Sequence, residues 1–184
     1  MAMTLTRPQK AAELQADRLD QASPAFEALF QQHWNRLCEL LYALVGDSAE
    51  AEDLALEAFW QLYRRPPAQA SNLGGWLYRV GTNLGFNALR ARQRRQRYEA
   101  ESVEWAAGSD STLDPSQVLE RSQERQKVRL VLASLPPRQA KLLLLRHSGF
   151  SYAEIAQALE LAPGSVGTLL ARAERRFQER YARL

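Results

Sequence analysis

SYAEIAQALELAPGSVGTLLARAERRFQERY, residues 151–181, reads as a helix, a three-residue break and a second, longer helix. Ser151 is placed to cap the first helix while Glu154, three residues on, reaches back to it, a capping box that opens an apolar-periodic run. Ile155, Ala156 and Leu159 share one face of that helix. Glu160-Leu161-Ala162 interrupts it, and Pro163 suits the first position of the next helix, where its missing N–H removes nothing. In that second helix Val166, Leu170, Ala173 and Phe177 recur at spacings of four, three and four, so this stripe packs inward. The opposite face carries Ser165, Thr168, Arg172, Arg175 and Arg176. Two readings stand side by side: a DNA-reading helix-turn-helix, or a short helical hairpin whose arginines are only solvated.

Composition narrows the classes around this motif. A chain of 184 residues suits one domain or two small ones, and its 46% hydrophobic and 24% charged content is that of ordinary globular protein. The single cysteine, Cys38, rules out an internal disulfide framework and a multi-cysteine zinc site, and His33 and His147 are too isolated in sequence to form a metal site. No cofactor is expected. The sequence has no apolar run of membrane-spanning length and no signal-peptide core, which predicts a cytoplasmic protein without membrane insertion. The net charge of +3 is small, but its distribution is uneven.

Working back from the motif, Arg138 to His147 reads as a helix whose Leu142–Leu145 run supplies a core, with Pro136-Pro137 separating it from the helix before. That earlier helix opens at Asp114-Pro115-Ser116-Gln117, an N-cap, a proline at the first helical position and a capping-box glutamine. Val118, Val128, Leu130, Val131 and Leu135 are its expected packing positions. Residues 99–116 contain five acids and no basic residue, with glycine, serines and no apolar period, the composition of a flexible acidic linker.

The N-terminal half starts with a polar extension, residues 1–23, expected to be loosely held. Pro24 then opens a helix in which Phe26, Leu29, Phe30, Trp34, Leu37, Leu41, Leu44 and Val45 recur at helical spacing, ended by Gly46. Cys38 lies beside this stripe and reads as a buried, inert thiol. Asp47 and Glu50 begin a second helix whose inner face is Ala51, Leu54, Ala55, Ala58 and Leu62. Its outer face shows Glu52, Asp53, Leu56, Glu57 and Trp60. Acids, a leucine and a tryptophan exposed together suggest a protein-partner surface. A proline-containing loop ending at Ser71-Asn72 leads through Gly74-Gly75 to a long helix. Trp76, Leu77, Val80, Leu84 and Ala88 are expected inside, with Arg79, Asn83, Phe86, Asn87 and Arg90 on the other side. Five arginines in the eight residues from Arg90 to Arg97 point to polyanion binding, and asparagine and aromatic side chains beside them suit single-stranded nucleic acid.

Taken together, FEALFQQHWNRLCELLYALVGDSAEAEDLALEAFWQLYRR and GGWLYRVGTNLGFNALRARQRR resemble region two of bacterial sigma factors of the extracytoplasmic-function type. LASLPPRQAKLLLLRHSGFSYAEIAQALELAPGSVGTLLARAERR resembles their region four. The resemblance implies an all-α protein of two small helical domains joined by the acidic linker, the second containing the helix-turn-helix: a region-two-like domain over 24–98, the linker over 99–116 and a region-four-like domain over 117–184. It implies core RNA polymerase and promoter DNA as partners, with an anti-sigma factor as a further candidate. Asp53, Leu56, Glu57 and Trp60 would meet polymerase, Leu56 standing where the family usually has glutamine. Asn72, Arg79, Asn83, Asn87 and Arg90 would meet the melted minus-ten element, Asn72 taking an extruded base. Ser165, Thr168, Leu169, Arg172, Arg175 and Arg176 would meet the minus-thirty-five duplex. Gly167 and Leu169 stand where the family often carries lysine and arginine, and Glu160 where such turns usually carry glycine.

Two other functions compete. A helix-turn-helix repressor or activator would dimerise through its N-terminal half, and a sigma-like interaction module would have lost promoter reading. A nucleic-acid enzyme would need a nucleophile with its base, a phosphate loop or a magnesium-holding carboxylate cluster, and the sequence offers none.

Overall fold

The computed structural model describes residues 24–67, 72–100 and 115–183, with the backbone alone for 97–100 and 115–122. The extension over 1–23, part of the proline loop and residues 101–114 of the acidic stretch lie outside the described residues. All regular structure among the described residues is helical: α1 (Pro24–Val45), α2 (Ser48–Arg64), α3 (Leu73–Ala100), α4 (Pro115–Ser134), α5 (Pro137–His147), α6 (Tyr152–Leu159), a 3-10 turn (Pro163–Ser165) and α7 (Val166–Tyr181). The chain divides into two compact units, Met1–Leu84 and Gly85–Leu184, the division falling within α3. Of the acidic stretch over 99–116, Glu99 and Ala100 belong to α3, and Pro115 and Ser116 belong to α4.

In the first unit α1 and α2 form an antiparallel pair. Gly46, at φ 79°, turns the chain between them, and its N–H donates to the Tyr42 carbonyl at 2.8 Å. Asp47 then caps α2 by accepting from the Glu50 N–H at 2.8 Å. Leu37, Leu40, Leu41, Leu44 and Val45 of α1 are buried, as are Ala51, Ala55, Ala58, Phe59 and Leu62 of α2. Each buried leucine stabilises the pair by about 1.5–3 kcal/mol relative to leaving it exposed. The open end of the pair is aromatic: Phe30 lies 4.8 Å from both Trp34 and Phe59, and Phe26 meets Phe59 edge-on at 6.2 Å.

The start of α3 docks on α1. His33 Nδ1 and the Tyr78 hydroxyl are hydrogen-bonded at 2.9 Å, and a Cβ on Gly81 would lie 2.7 Å from Leu37 Cδ1. A larger residue at 81 would have to displace the Leu37 side chain.

The buried face of α3 is rotated from the expected one. Leu77 is inside as predicted, but its companions are Tyr78, Thr82, Phe86 and Leu89, while Trp76, Val80, Leu84 and Ala88 are only half-buried. Phe86, expected outside, is 1% exposed. Tyrosine and phenylalanine gain more from burial than valine and alanine. Thr82 can go inside because its hydroxyl donates back to the carbonyls of Tyr78 at 2.8 Å and Arg79 at 3.0 Å.

In the second unit Leu142, Leu143, Leu144 and Leu145 of α5 are all buried, together with Phe150, Ile155, Val166, Leu170 and Ala173. Val131 and Leu132 of α4, and Leu135 just after it, enter this core; Leu130, expected to pack, is exposed, and Val128 is half-buried. The far end of α7 is tied back to α4. Arg180 Nη1 donates to the Ser134 carbonyl at 2.7 Å, the Tyr181 hydroxyl bonds the Glu124 carboxylate, and Lys127 Nζ lies 5.0 Å over the Tyr181 ring. Two orphan groups are thereby satisfied at once, a helix-end carbonyl of α4 and a phenol.

Candidate nucleic-acid and partner-protein interfaces

The helix-turn-helix is built as its residues require. Ser151 Oγ accepts from the Glu154 N–H at 3.2 Å and Glu154 Oε2 accepts from the Ser151 N–H at 2.7 Å, so the capping box is complete. The break is made by Glu160, at φ 53° and ψ 54°, the only non-glycine with positive φ among the described residues. A left-handed glutamate is strained by about 1 kcal/mol. Pro163 opens a 3-10 turn rather than α7 itself, and Ser165 Oγ donates to the Ala162 carbonyl at 2.8 Å. The Ser165 hydroxyl is therefore engaged in the turn it sits on.

With Val166, Leu170 and Ala173 buried, the outward side of α7 is fixed. Thr168, Arg172, Arg175 and Arg176 are exposed, and Leu169 is half-buried. Arg175 makes an exposed ion pair with Glu179 at 3.9 Å, which contributes little to stability. Three guanidinium groups and a hydroxyl on one side of a rigid helix can meet duplex phosphates and base edges.

A second polar stripe runs along α3. Arg79, Asn83 and Asn87 follow one another at intervals of four residues, with Arg90 three further on. Asn83 and Asn87 are exposed, Arg79 and Arg90 half-buried. The Arg90 guanidinium carbon lies 5.8 Å from the centre of the Phe86 ring. Buried Phe86 is thus a platform for an arginine and not a surface for stacking bases. Asn72 stands at the head of this helix, where its side-chain oxygen accepts from the Gly75 N–H at 2.9 Å. The residue expected to read an extruded base is also the N-cap of α3.

The outward side of α2 is as the sequence predicts. Glu52, Asp53 and Glu57 are exposed, and between them Leu56 and Trp60 are 51% and 49% exposed. Glu57 Oε1 accepts from Gln61 Nε2 at 2.8 Å. Two residues that the sequence reading passed over brace the tryptophan: Tyr63 stacks on it at 5.6 Å, and the Arg64 guanidinium carbon lies 5.9 Å from its ring centre. Their spacings of three and four from Trp60 were the available signal. The Trp60 ring, stacked on Tyr63 among exposed acids, keeps little rotamer freedom that a contact would have to remove.

Cys38, beside the buried stripe of α1, is half-buried. Burial pushes the Cys38 thiol up to about 11, with the carboxylates of Glu52 and Glu39 acting in the same direction, so the reactive thiolate is suppressed. Among the described residues no group of His, Cys, Asp and Glu is arranged to hold a metal ion, and no helix is long and apolar enough to cross a membrane.

Comparison with known proteins shows what the two halves of the chain are similar to. Residues 29–95 match the family described as Sigma-70 region 2, and residues 125–177 match Sigma-70, region 4. The chain is 32% identical over 167 residues to the ECF RNA polymerase sigma factor SigE of Mycolicibacterium smegmatis, a match covering 89% of this chain and 65% of the relative. It is 31% identical over 162 residues to the RNA polymerase sigma-H factor of Pseudomonas aeruginosa, covering 81% of this chain and 82% of that protein. Among solved structures, the sigma factor RpoE from Bartonella quintana, crystallised in complex with the anti-sigma factor NepR, aligns with a TM-score of 0.50 at 23% identity, covering 85% of this chain and 96% of that one. That likeness is one of fold.

Proposed function

The chain belongs to the sigma-70 family of RNA polymerase sigma factors, in its extracytoplasmic-function branch, and on that premise we propose that it binds core RNA polymerase and directs it to promoters. The observation that carries this reading is the outward side of α2, where Leu56 and a braced Trp60 stand exposed among Glu52, Asp53 and Glu57. An isolated helical domain gains nothing by exposing a leucine and a tryptophan together; a partner with a basic, apolar groove does. Asp53, Leu56, Glu57 and Trp60 form the polymerase contact.

The remaining surfaces divide the promoter. Arg79, Asn83, Asn87 and Arg90 on α3, with Asn72 at its head, meet the melted minus-ten strand. Thr168, Leu169, Arg172, Arg175 and Arg176 on α7 meet the minus-thirty-five duplex, with Ser165 limited to what its turn hydrogen bond allows. The protein contributes binding and strand capture, acts in the cytoplasm, and leaves the chemistry to polymerase. An anti-sigma factor that covers the α2 face would switch it off. A second reading, a sigma-like module that has lost promoter reading, draws on one observation: Gly167 and Leu169 leave the start of α7 without charge.

Replacing Asp53 and Glu57 together by lysine tests the assignment. Both are exposed, so the melting temperature stays that of the wild type while capture of core polymerase falls by an order of magnitude or more. A double variant that holds core as well as the wild type removes the α2 face from the account.

A further inference from the structure

The arginine run at the far end of α3 does not all face solvent. Arg94 and Arg95 are exposed, but Arg92 is half-buried and lines a cleft of about 220 Å³. Every described residue around this cleft belongs to the second unit. From α3 come Arg92, Gln93 and Gln96; from α4 come Gln126 and Arg129, the latter also half-buried. Two leucines complete the wall, and among the described residues that line it none is acidic. Gln93 Nε2 is buried and has no hydrogen-bond partner. Two guanidinium groups on one concave, partly dry surface raise a positive potential that solvent screens less than it would on an open face.

We propose that this cleft binds a small phosphate-class anion, clasped between Arg92 of α3 and Arg129 of α4. The inference goes beyond the promoter reading and does not rest on it, since none of these residues is among the polymerase or promoter contacts assigned above. A guanidinium fork matches two phosphate oxygens at once. Each arginine carries five N–H donors, enough to serve a ligand beside its other contacts. The three glutamine amides add uncharged donors around the cations. The terminal torsion of a glutamine is soft, so the Gln93 amide can turn its buried N–H to an oxygen in the cleft. The space far exceeds the roughly 10–15 Å³ that a single water needs, so a compact anion enters with part of its hydration. A ligand held from both helices would stabilise the packing of α3 against α4.

The test is calorimetric titration of the full chain with pyrophosphate at fixed ionic strength. The wild type shows one saturable site. Arg92→Gln and Arg129→Gln each weaken it by about ten- to a hundredfold, the loss expected for a charged hydrogen-bonding partner. Arg125→Gln, an exposed arginine of α4 outside the cleft, leaves it unchanged. Gln126→Glu, a change at an exposed position, brings a negative charge to the rim and weakens binding without touching the core, so the site stays testable where an arginine variant fails to fold. Inorganic phosphate and adenosine triphosphate distinguish the sources. Triphosphate binding as tight as that of pyrophosphate makes the occupant the phosphate end of a nucleotide; binding of the inorganic anions alone makes it the free ion. Either supports the site. The absence of a saturable site, or wild-type affinity in both arginine variants, overturns it. Full displacement of pyrophosphate by a short DNA duplex would also overturn it, giving the two arginines to nucleic acid instead.

Discussion

Asn72 and Gly75 are fitted to each other at the head of α3. The side-chain oxygen of Asn72 accepts from the Gly75 N–H at 2.9 Å, and a Cβ on Gly75 would lie 2.3 Å from Asn72 Nδ2. The glycine is small because the asparagine lies across it. The residue offered to an extruded base is therefore held in one orientation by the helix it starts.

This coupling separates folding from base reading. Asn72→Ala loses the cap and destabilises the chain by about 1 kcal/mol, whereas Asn72→Asp keeps an acceptor and stays within a few tenths. In a minus-ten promoter series both variants lose preference at one position. Gly75→Ala gives no rise in melting temperature, although alanine is favoured over glycine in helices by about 1 kcal/mol, because it displaces the Asn72 side chain. Thermal melts and open-complex assays on the three variants check these outcomes. An unchanged preference in Asn72→Asp would take the side chain out of the base-reading site.

His33 makes the first unit sensitive to acid. Burial, and next the charge of Arg36, hold its pKa below the ordinary 6.5. The folded chain thus favours neutral imidazole more than the unfolded chain does. The resulting stability is complete above 6.5 and is lost as pH falls through 6.5 toward the lowered folded value, where the unfolded chain binds the proton first. Melting temperatures of the wild type should fall over that interval more steeply than those of His33→Phe. Parallel curves for the two proteins would show that His33 does not couple folding to pH.

Glu160 holds removable strain. Glu160→Gly relieves a left-handed glutamate and raises stability by about 1 kcal/mol, seen as a higher denaturant midpoint with an unchanged slope. Glu160→Ala keeps the strain and gives no such gain. Duplex affinity is the same in the wild type and both variants, since the turn lies outside the proposed contact surface.

Much of this architecture was legible because particular residues admit one local solution. Ser151 with Glu154, Asp47 with Glu50, and the glycine after Val45 each fix a helix end by hydrogen bonds made within a few residues. The α2 surface was legible for a related reason: alanines at 51, 55 and 58 define the inner side, so Leu56 and Trp60 must lie on the other. The face of α3 was not legible. Apolar residues occur all around its first half, so periodicity cannot select between a stripe through Trp76 and Val80 and one through Tyr78 and Phe86. A buried threonine that bonds its own backbone also looks polar in sequence. The same ambiguity put Leu130 inside where the structure buries Leu132. Long-range ties such as Arg180 to Ser134, and the seating of Arg146 over Tyr152, depend on how helices cross and leave no trace in local spacing.

The central claim is tested most directly by transcription from a genomic promoter library with core RNA polymerase, alone and with this protein added. The account predicts new transcription starts, absent with core alone, that share one pair of upstream elements and disappear with the Asp53→Lys, Glu57→Lys double variant. A set of starts identical to that of core alone, at protein concentrations that saturate core binding, would contradict it.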